Sequence, residues 1–287
     1  MLLKECIAQQ AQDLYLRPIV GGWQLTVRRA SGLAKKAELN QLVGEKIINR
    51  LKYLADMDIS EARRPQTGQT ELTVDNEVIY LRLATIGDFL NRESMVIRFI
   101  YPLGSTYQCV DQHQLQQLTT ATTQSGLILF AGPTGSGKTT SLYYLATAKM
   151  QDKMVVAIED PIEIKQPAFL QLQVNPEAGL SYHELLKISL RLRPDTLIIG
   201  EIRDLKTAQI AITAALSGHL VLSTIHARSA KGVIERLLDL GIAPDQIKAS
   251  LTMVAYQKLQ VTATQTMAAS YDFLQQDVVQ TYLKGRL

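Results

Sequence analysis

A glycine-rich turn between an apolar run and a helical stretch constrains the fold of this 287-residue chain more than any other feature. The turn reads Gly-Pro-Thr-Gly-Ser-Gly-Lys-Thr over residues 132–139 and fits the pattern GxxxxGK[ST]. Residues 127–131 before it have the length of a buried strand, and residues 138–150 after it are predicted to form a helix. A glycine turn in this position is typical of a P-loop, in which main-chain N–H groups surround phosphates.

The residue types in the turn match the chemistry of a bound triphosphate. Lys138 is predicted to reach the β- and γ-phosphates as a point charge, and the Thr139 hydroxyl is predicted to bind Mg²⁺. Thr140 would begin a helix whose positive end attracts phosphate. A glycine turn without a ligand is the alternative, and the flanking strand and helix weigh against it. The candidate phosphate-binding residues are Gly132, Pro133, Thr134, Gly135, Ser136, Gly137, Lys138, Thr139 and Thr140.

After residue 126, apolar runs of strand length alternate with helical stretches, which is typical of an α/β domain with a mainly parallel sheet and right-handed crossovers. The predicted strands are 127–131, 154–158, 196–199 and 219–224. The predicted helices are 138–150, 181–192, 205–216, 230–240, 245–259 and, at the end of the chain, 271–283.

The first hundred residues follow a different pattern, which predicts a smaller α+β domain. Strands are predicted at 14–16, 23–27, 78–83 and 95–100. A packed helix is predicted from apolar residues at helical spacing, namely Leu42, Ile47, Ile48, Leu51 and Leu54. A polar stretch around Gly104 and Ser105 and a Gln- and Thr-rich segment then lead into the P-loop domain. We therefore predict an N-terminal domain at 1–103, a linker and leading helix at 104–125, and the P-loop domain at 126–287.

Composition excludes several other classes of protein. Hydrophobic residues make up 46% and charged residues 20%, a globular balance, and the net charge of +3 does not indicate nucleic acid as a direct partner. Cys6 and Cys109 lie far apart, which excludes a four-cysteine zinc site and suits a reducing cytosol. No apolar run has the length of a spanning helix, and the first residues lack a signal-peptide pattern. We expect a cytoplasmic protein whose mature chain begins here.

Two acidic clusters directly follow predicted strands. Glu163 ends the segment Glu-Asp-Pro-Ile-Glu at 159–163, and Glu201 begins Glu-Ile-Arg-Asp at 201–204. Because the carboxyl ends of parallel strands meet at one edge of the sheet, both clusters are predicted to lie beside the P-loop, as a phosphoryl-transfer site requires. The alternative is that these carboxylates only solvate loops or cap helices, as Asp204 could do for the helix after it.

Four segments in order resemble those of the type II secretion and type IV pilus traffic ATPases. They are GPTGSGKTT from Gly132, IEDPIE from Ile158, LIIGEIRD from Leu197 and SGHLVLSTIHARSA from Ser217. In the first domain, AQDLYLRP, RLKYLADMDISEARRPQTG and the strands of Arg82 and Arg98 are also similar to that family. The resemblance implies a PAS-like N-terminal domain followed by a RecA-like ATPase domain, with ATP between them.

The resemblance also implies roles for the acidic residues and histidines. Glu163 is implied to be the general base that polarises the attacking water, and Glu201 is implied to join Thr139 around Mg²⁺. His219 and His226 are implied to sense or orient the γ-phosphate region. The alternative for a histidine beside a buried strand is a packed, hydrogen-bonded residue without a catalytic role.

Two arginines of the first domain are implied to act as arginine fingers. Arg82 and Arg98 would contribute guanidinium groups, whose fixed fork matches phosphate oxygens and stabilises the charge that develops during transfer. The alternative is that both belong to a solvated or ion-paired strand face.

Departures from the family pattern narrow the resemblance to the competence-pilus branch of Gram-positive bacteria. The sequence has no tetracysteine zinc insertion, and Arg193 occupies a position that is usually acidic. We also expect no additional N-terminal domain of the kind that many relatives have. The branch implies a homo-hexamer that uses ATP and Mg²⁺ without zinc and binds a polytopic membrane platform protein at the cytosolic face of the plasma membrane. The resemblance thus implies an ATP-hydrolysing motor that powers assembly of a competence-type pilus or a type II secretion pseudopilus and supports DNA uptake. The alternatives are a pilus retraction motor, a nucleic-acid motor and a nucleotide-dependent scaffold that does not hydrolyse ATP.

Overall fold

The computed structural model describes residues 2–29, 31–103, 107–149, 153–175, 178–262 and 267–284. The chain divides into two compact units, Met1–Pro102 and Leu103–Leu287. Gly104 and Ser105 of the predicted linker, Met150 of a predicted helix and most of the polar segment 262–266 lie outside the described residues. Within the described residues, no helix is long and apolar enough to span a bilayer.

The first unit is an antiparallel sheet with two helices. The strand order is β3-β2-β1-β6-β5-β4, and each neighbouring pair is antiparallel. The elements are α1 (Leu2–Ala8), β1 (Asp13–Ile19), β2 (Gly22–Arg29), β3 (Gly32–Asn40), α2 (Gln41–Leu54), β4 (Gln66–Val74), β5 (Glu77–Gly87) and β6 (Glu93–Ile100).

Alternating apolar side chains build the core of this unit. On β2, Trp23, Leu25 and Val27 are buried at every second position, so one face of the sheet packs inward. Helix α2 begins where Asn40 Oδ1 accepts a hydrogen bond from the Val43 N–H at 2.9 Å, and it buries Ile48 against the sheet. The four strands and the helix predicted here are confirmed, whereas α1, β3 and β4 were not predicted.

The second unit is an α/β structure around a mainly parallel seven-stranded sheet. The strand order is β13-β12-β7-β11-β10-β8-β9, in which the β12–β13 pair is antiparallel and the other neighbours are parallel. The elements are α3 (Gln112–Ala121), β7 (Gly126–Ala131), α4 (Lys138–Lys149), β8 (Val155–Glu159), β9 (Leu170–Gln173), α5 (Tyr182–Ser189), a 3₁₀ turn (Leu190–Leu192), β10 (Thr196–Ile199), α6 (Leu205–Leu216), β11 (Leu220–Ile225), α7 (Ala230–Asp239), α8 (Pro244–Ser250), β12 (Leu251–Val261), β13 (Met267–Gln275) and α9 (Gln276–Lys284).

The central strands of this sheet are buried along their whole length. Every residue of β7, β8, β10 and β11 is buried, as expected for strands covered by helices on both faces. The P-loop follows the carboxyl end of β7, and the two acidic clusters follow β8 and β10. Because these strands are parallel, all three segments leave the sheet at the same edge.

The predicted helices near the end of the chain are corrected by the structure. Helix α8 ends at Ser250, and residues 251–261 form β12, which pairs in parallel with β7. Residues 267–275 form β13, so only the last part of the helix predicted at 271–283 exists, as α9. Apolar residues at 251, 254, 255 and 259 have helical spacing, but pairing with the buried β7 edge decides the local structure.

Candidate functional site

Three glycines shape the loop between β7 and α4. Gly132, Gly135 and Gly137 have φ angles of +143°, +78° and +82°, which side-chain-bearing residues rarely adopt. Helix α4 begins at Lys138 directly after the last of these glycines. Because the first N–H groups of a helix have no intrahelical partner, the loop ends in a cluster of backbone donors that suits an anion.

Strand β12 contacts this loop through the buried residue Gln257, which is 1% exposed. The Gln257 side-chain amide donates to the Ser136 carbonyl at 2.6 Å and accepts from the Ser141 hydroxyl at 2.9 Å. A Cβ on Gly132 would lie 2.2 Å from the Gln257 carbonyl oxygen. Sequence reasoning missed Gln257 because it assigned residue 257 to a helix; a strand at β12 would have placed it beside the P-loop.

The Lys138 ammonium lies against the loop backbone. Its Nζ donates to the Gly132 carbonyl at 2.9 Å and to the Pro133 carbonyl at 3.0 Å. Burial lowers the pKa of Lys138, while the Glu201 and Glu163 carboxylates raise it. The opposing carboxylates thus help to keep a partly buried lysine charged at the loop.

The structure brings Glu163 to the P-loop. The Thr139 hydroxyl donates to Glu163 Oε2 at 3.0 Å, although the two residues are 24 positions apart in the chain. Thr139 is in the first turn of α4, and Glu163 is in the loop between β8 and β9. The predicted metal-binding hydroxyl and the predicted general base are therefore neighbours.

Two side chains, those of Arg203 and His226, contact the Glu201 carboxylate. Arg203 Nε donates to Glu201 Oε2 at 2.7 Å, and His226 Nε2 lies 3.1 Å from Glu201 Oε1. The loops that carry them are joined, because Thr224 Oγ1 donates to the Gly200 carbonyl at 2.7 Å. His226 follows the carboxyl end of β11, so it lies at the same edge of the sheet as the P-loop.

The structure places His219 at the edge of the sheet opposite the P-loop. His219 precedes β11, whose first residue, Leu220, pairs with Gly126 at the start of β7. The P-loop follows the other end of β7, which lies roughly 17 Å away at about 3.3 Å per residue. His219 Nδ1 lies 2.8 Å from the Pro194 carbonyl. Within one subunit, His219 is half-buried and hydrogen-bonded at this edge.

Arg82 and Arg98 form a directly opposed pair on β5 and β6 of the first unit. Arg98 Nε donates to Asp13 Oδ1 at 2.9 Å, and Arg28 Nε lies 3.5 Å from the other oxygen of the same carboxylate. Asp13 is buried, whereas the Arg98 side chain is 62% exposed. The structure thus places both arginines on the sheet and ion-pairs Arg98 with a buried acid.

Two further acidic residues have structural contacts. Asp204 Oδ1 accepts from the Thr207 N–H at 2.8 Å and caps helix α6, which is the alternative stated for it above. Glu159 is buried and accepts a hydrogen bond from the Tyr143 hydroxyl. Burial and the Glu159 charge raise the pKa of Tyr143, so its hydroxyl remains a donor.

The residues around the loop fit a magnesium nucleotide. A Cβ on Gly135 would meet nothing within 4 Å, so the middle of the loop is open, and the buried Ser136 hydroxyl has no hydrogen-bond partner among the described residues. Hydroxyl and carboxylate oxygens, the donors that Mg²⁺ prefers, come from Thr139, Glu163 and Glu201. A cavity of about 340 Å³ adjoins the loop. Its lining residues are Tyr107, Gln108, Gly137, Thr140, Gln257, Leu259, Met267 and Ala269.

Comparison with known proteins identifies the family. Residues 1–284 match the family described as type II/IV secretion system protein. The competence protein ComGA of Streptococcus pneumoniae is 40% identical over 258 residues, which cover 90% of this chain and 82% of that protein.

Solved structures of similar fold agree with this match. The Legionella pneumophila ATPase DotB has a TM-score of 0.80 at 21% identity and covers 99% of this chain and 82% of its own. The pilus retraction motor PilT with bound ADP has a TM-score of 0.76 at 22% identity and covers 99% of this chain and 87% of its own. The chain belongs to the type II/IV secretion system protein family.

Proposed function

We propose that this chain is an ATP-hydrolysing motor that powers assembly of a competence-type type IV pilus or a type II secretion pseudopilus, and so supports DNA uptake. The observation that carries the proposal is the Thr139–Glu163 hydrogen bond of 3.0 Å, which joins a P-loop hydroxyl to an acid in the loop between β8 and β9. The 40% identity to a competence protein supports the cellular role.

The P-loop is the proposed site for the phosphates of ATP. Residues 132–140 would surround them with backbone N–H groups, and the start of α4 adds the positive end of the helix dipole. Lys138 would exchange its bonds to two loop carbonyls for the β- and γ-phosphate oxygens. Such an exchange replaces neutral acceptors with charged ones and therefore favours the bound state.

Thr139 and Glu201 are the proposed holders of Mg²⁺. When bound, the ion neutralises charge on the β- and γ-phosphate oxygens. Arg203 and His226 hold the Glu201 carboxylate from both sides, so its orientation is set before any ligand arrives. His226 thus acts on the γ-phosphate region through Glu201.

Glu163 is the proposed general base. Its carboxylate would accept a proton from the attacking water, and the Thr139 contact fixes its distance from the P-loop. Arg82 and Arg98 are the proposed arginine fingers, which stabilise the negative charge that develops on the transferred group. For Arg98 this role requires release from Asp13, to which it is bonded.

The proposed assembly is a ring of six copies at the cytosolic face of the plasma membrane. The first unit would be the PAS-like domain and the second the RecA-like ATPase domain, with the predicted bounds 1–103 and 126–287 around a linker. The proposed partner is a polytopic membrane platform protein, which domain rotation would drive. We propose no zinc and no direct contact with nucleic acid.

Deletion of the gene in its host, followed by complementation, tests this function. Cells with the wild-type chain are expected to display surface fibres and take up DNA, whereas cells with Lys138→Ala are expected to do neither. Complementation with Asp245→Asn controls for expression, because this exposed side chain lies on α8 outside the site. Fibres that accumulate in the deletion strain would contradict assembly and indicate retraction.

A further inference from the structure

We propose that Gln257 is a positioning residue for the P-loop, whose side-chain amide holds the loop backbone in the shape that receives phosphates. The proposal rests on the nucleotide-binding function proposed above. It concerns a residue outside the P-loop and acidic segments, on a strand that sequence analysis assigned to a helix.

Gln257 connects the two parts of the proposed phosphate site, the loop and the start of α4. Its Nε2 donates to the Ser136 carbonyl in the middle of the loop at 2.6 Å. Its Oε1 accepts from the Ser141 hydroxyl, in the first turn of α4, at 2.9 Å. One buried side chain therefore joins the loop to the helix that begins the anion site.

At Ser136, the centre of the loop, the described residues provide few other contacts. Gly135 and Gly137 flank Ser136 and have no side chains with which to pack. The Ser136 hydroxyl has no hydrogen-bond partner among the described residues, and the Ser136 N–H donates only locally, to the Pro133 carbonyl at 3.2 Å. The Gln257 amide is thus the anchor that reaches this carbonyl from another element of the sheet.

The main chain of Gln257 is also held beside the loop. The preceding residue, Tyr256, pairs with Ala131 at the end of the parallel ladder, and the next residues, Gln257 and Gly132, lie close together beyond it. The Gln257 carbonyl oxygen is so close to Gly132 that a Cβ there would lie only 2.2 Å from it. Both the main chain and the side chain of one residue therefore define the course of the loop.

A cluster of hydroxyl groups from Tyr107, Ser141 and Tyr271 contacts the amide through Ser141. The Tyr271 hydroxyl donates to Ser141 Oγ at 2.9 Å, and the Tyr107 hydroxyl lies 2.6 Å from the same atom. Burial raises the pKa of both tyrosines, so these hydroxyls stay protonated. The one proton of the Ser141 hydroxyl has two acceptors within reach, Gln257 Oε1 at 2.9 Å and the Gly137 carbonyl at 3.0 Å, while the Gln257 NH₂ donates to the Ser136 carbonyl. Only a side chain with both a donor and an acceptor satisfies this arrangement.

The experiment measures ADP binding to the full chain by calorimetry in the presence of Mg²⁺. Gln257→Met keeps the volume and removes both polar contacts, whereas Gln257→Glu keeps the shape and loses only the donor when ionised. Gln260→Met is the matched control, because Gln260 is an exposed glutamine on the same strand. Circular dichroism establishes that each variant is folded.

We expect Gln257→Met to bind ADP about tenfold more weakly or worse, because the buried Ser136 carbonyl loses its side-chain partner, and Gln260→Met to match wild type. For Gln257→Glu we expect weak binding at pH 8.5 that recovers towards wild type at pH 6. Burial raises the pKa of a carboxyl, and the protonated acid can again donate to Ser136. A purely structural role would not produce this pH-dependent rescue.

The outcomes separate this inference from the proposed function. A wild-type chain that does not bind ADP would contradict the proposed function itself. Wild-type binding together with unchanged affinity in folded Gln257→Met, or with Gln257→Glu that shows no recovery at low pH, would overturn the positioning role alone. Failure of both Gln257 variants to fold would assign the residue to folding and would also overturn the proposal.

Discussion

Substitution of Gly132 by alanine tests how strictly β12 shapes the phosphate loop. The added Cβ would lie 2.2 Å from the Gln257 carbonyl oxygen and 3.0 Å from Ser136 Oγ. The Gln257 carbonyl belongs to β12, which is paired with β7 and β13, so it cannot move away from the added Cβ without disturbing the sheet. Overpacking of this kind costs about 1–3 kcal/mol. The φ of +143° adds about 1–3 kcal/mol of backbone strain for a residue with a side chain.

We therefore expect Gly132→Ala to destabilise the native loop by about 3 kcal/mol, in the lower half of the combined range of about 2–6 kcal/mol. If the loop relieves the clash by changing its conformation, the affinity for ADP should fall by about a hundredfold. If the loop keeps its conformation, the free energy of unfolding, measured in urea, should fall instead. Calorimetry with ADP and urea titration together detect either result.

Gly218→Ala is the matched control for backbone strain. Gly218 has a φ of +96°, but a Cβ there would meet nothing within 4 Å. This variant should lose stability through strain alone and keep its ADP affinity. The reasoning would be refuted if Gly132→Ala matched Gly218→Ala in both ADP affinity and unfolding free energy.

Three further predictions concern charge. Lys138→Ala should weaken ATP binding by about tenfold or more, because a charged hydrogen-bond donor to the phosphates is lost, and equal affinity in a filter-binding assay would exclude that role. Arg82→Ala should leave ATP affinity nearly unchanged and lower turnover by about a thousandfold, and a wild-type rate would remove Arg82 from the site. Lys52→Met should lower the unfolding free energy by about 3–5 kcal/mol, because the buried Glu93 carboxylate loses its ammonium partner at 2.8 Å. Pairing that change with Glu93→Leu should restore most of the stability, and no recovery in urea titration would contradict a buried ion pair.

The strands around the P-loop could be predicted because a strand that is buried on both faces has a continuous apolar sequence. Residues 127–131 and 196–199 are continuous apolar runs, and both form fully buried parallel strands. The glycine turn and the acids that follow these strands then share an edge of the sheet for topological reasons. The proximity of Glu163 to Thr139 follows from that rule.

Other strands were not predicted because their sequences lack a continuous apolar run. Edge strand β3 reads Gly-Leu-Ala-Lys-Lys-Ala-Glu-Leu-Asn and leaves all of its residues exposed or half-buried. Its pairing with β2, not its composition, makes it a strand. Strand β12 was misassigned for the opposite reason, since its apolar residues fit two periods and only contact with β7 selects the extended one.

Long-range contacts explain what sequence could not reveal at the site. Gln257 and Ser136 are 121 positions apart, and no spacing rule joins them. His219 belongs to a segment that resembles its family closely, yet its strand carries His219 and His226 to opposite edges of the sheet. A motif therefore indicates which residues belong to one domain, and the direction of the strand decides which of them lies at the same edge of the sheet as the P-loop.

Steady-state ATP hydrolysis by the wild-type chain and by Glu163→Gln tests the central claim most directly, with ATP binding measured on the same samples. The account predicts that wild type hydrolyses ATP, and that Glu163→Gln binds ATP but turns it over at least about a hundredfold more slowly. Equal rates in the two proteins would contradict the assignment of Glu163. Bound ATP with no hydrolysis by wild type would contradict the claim that this chain is a motor.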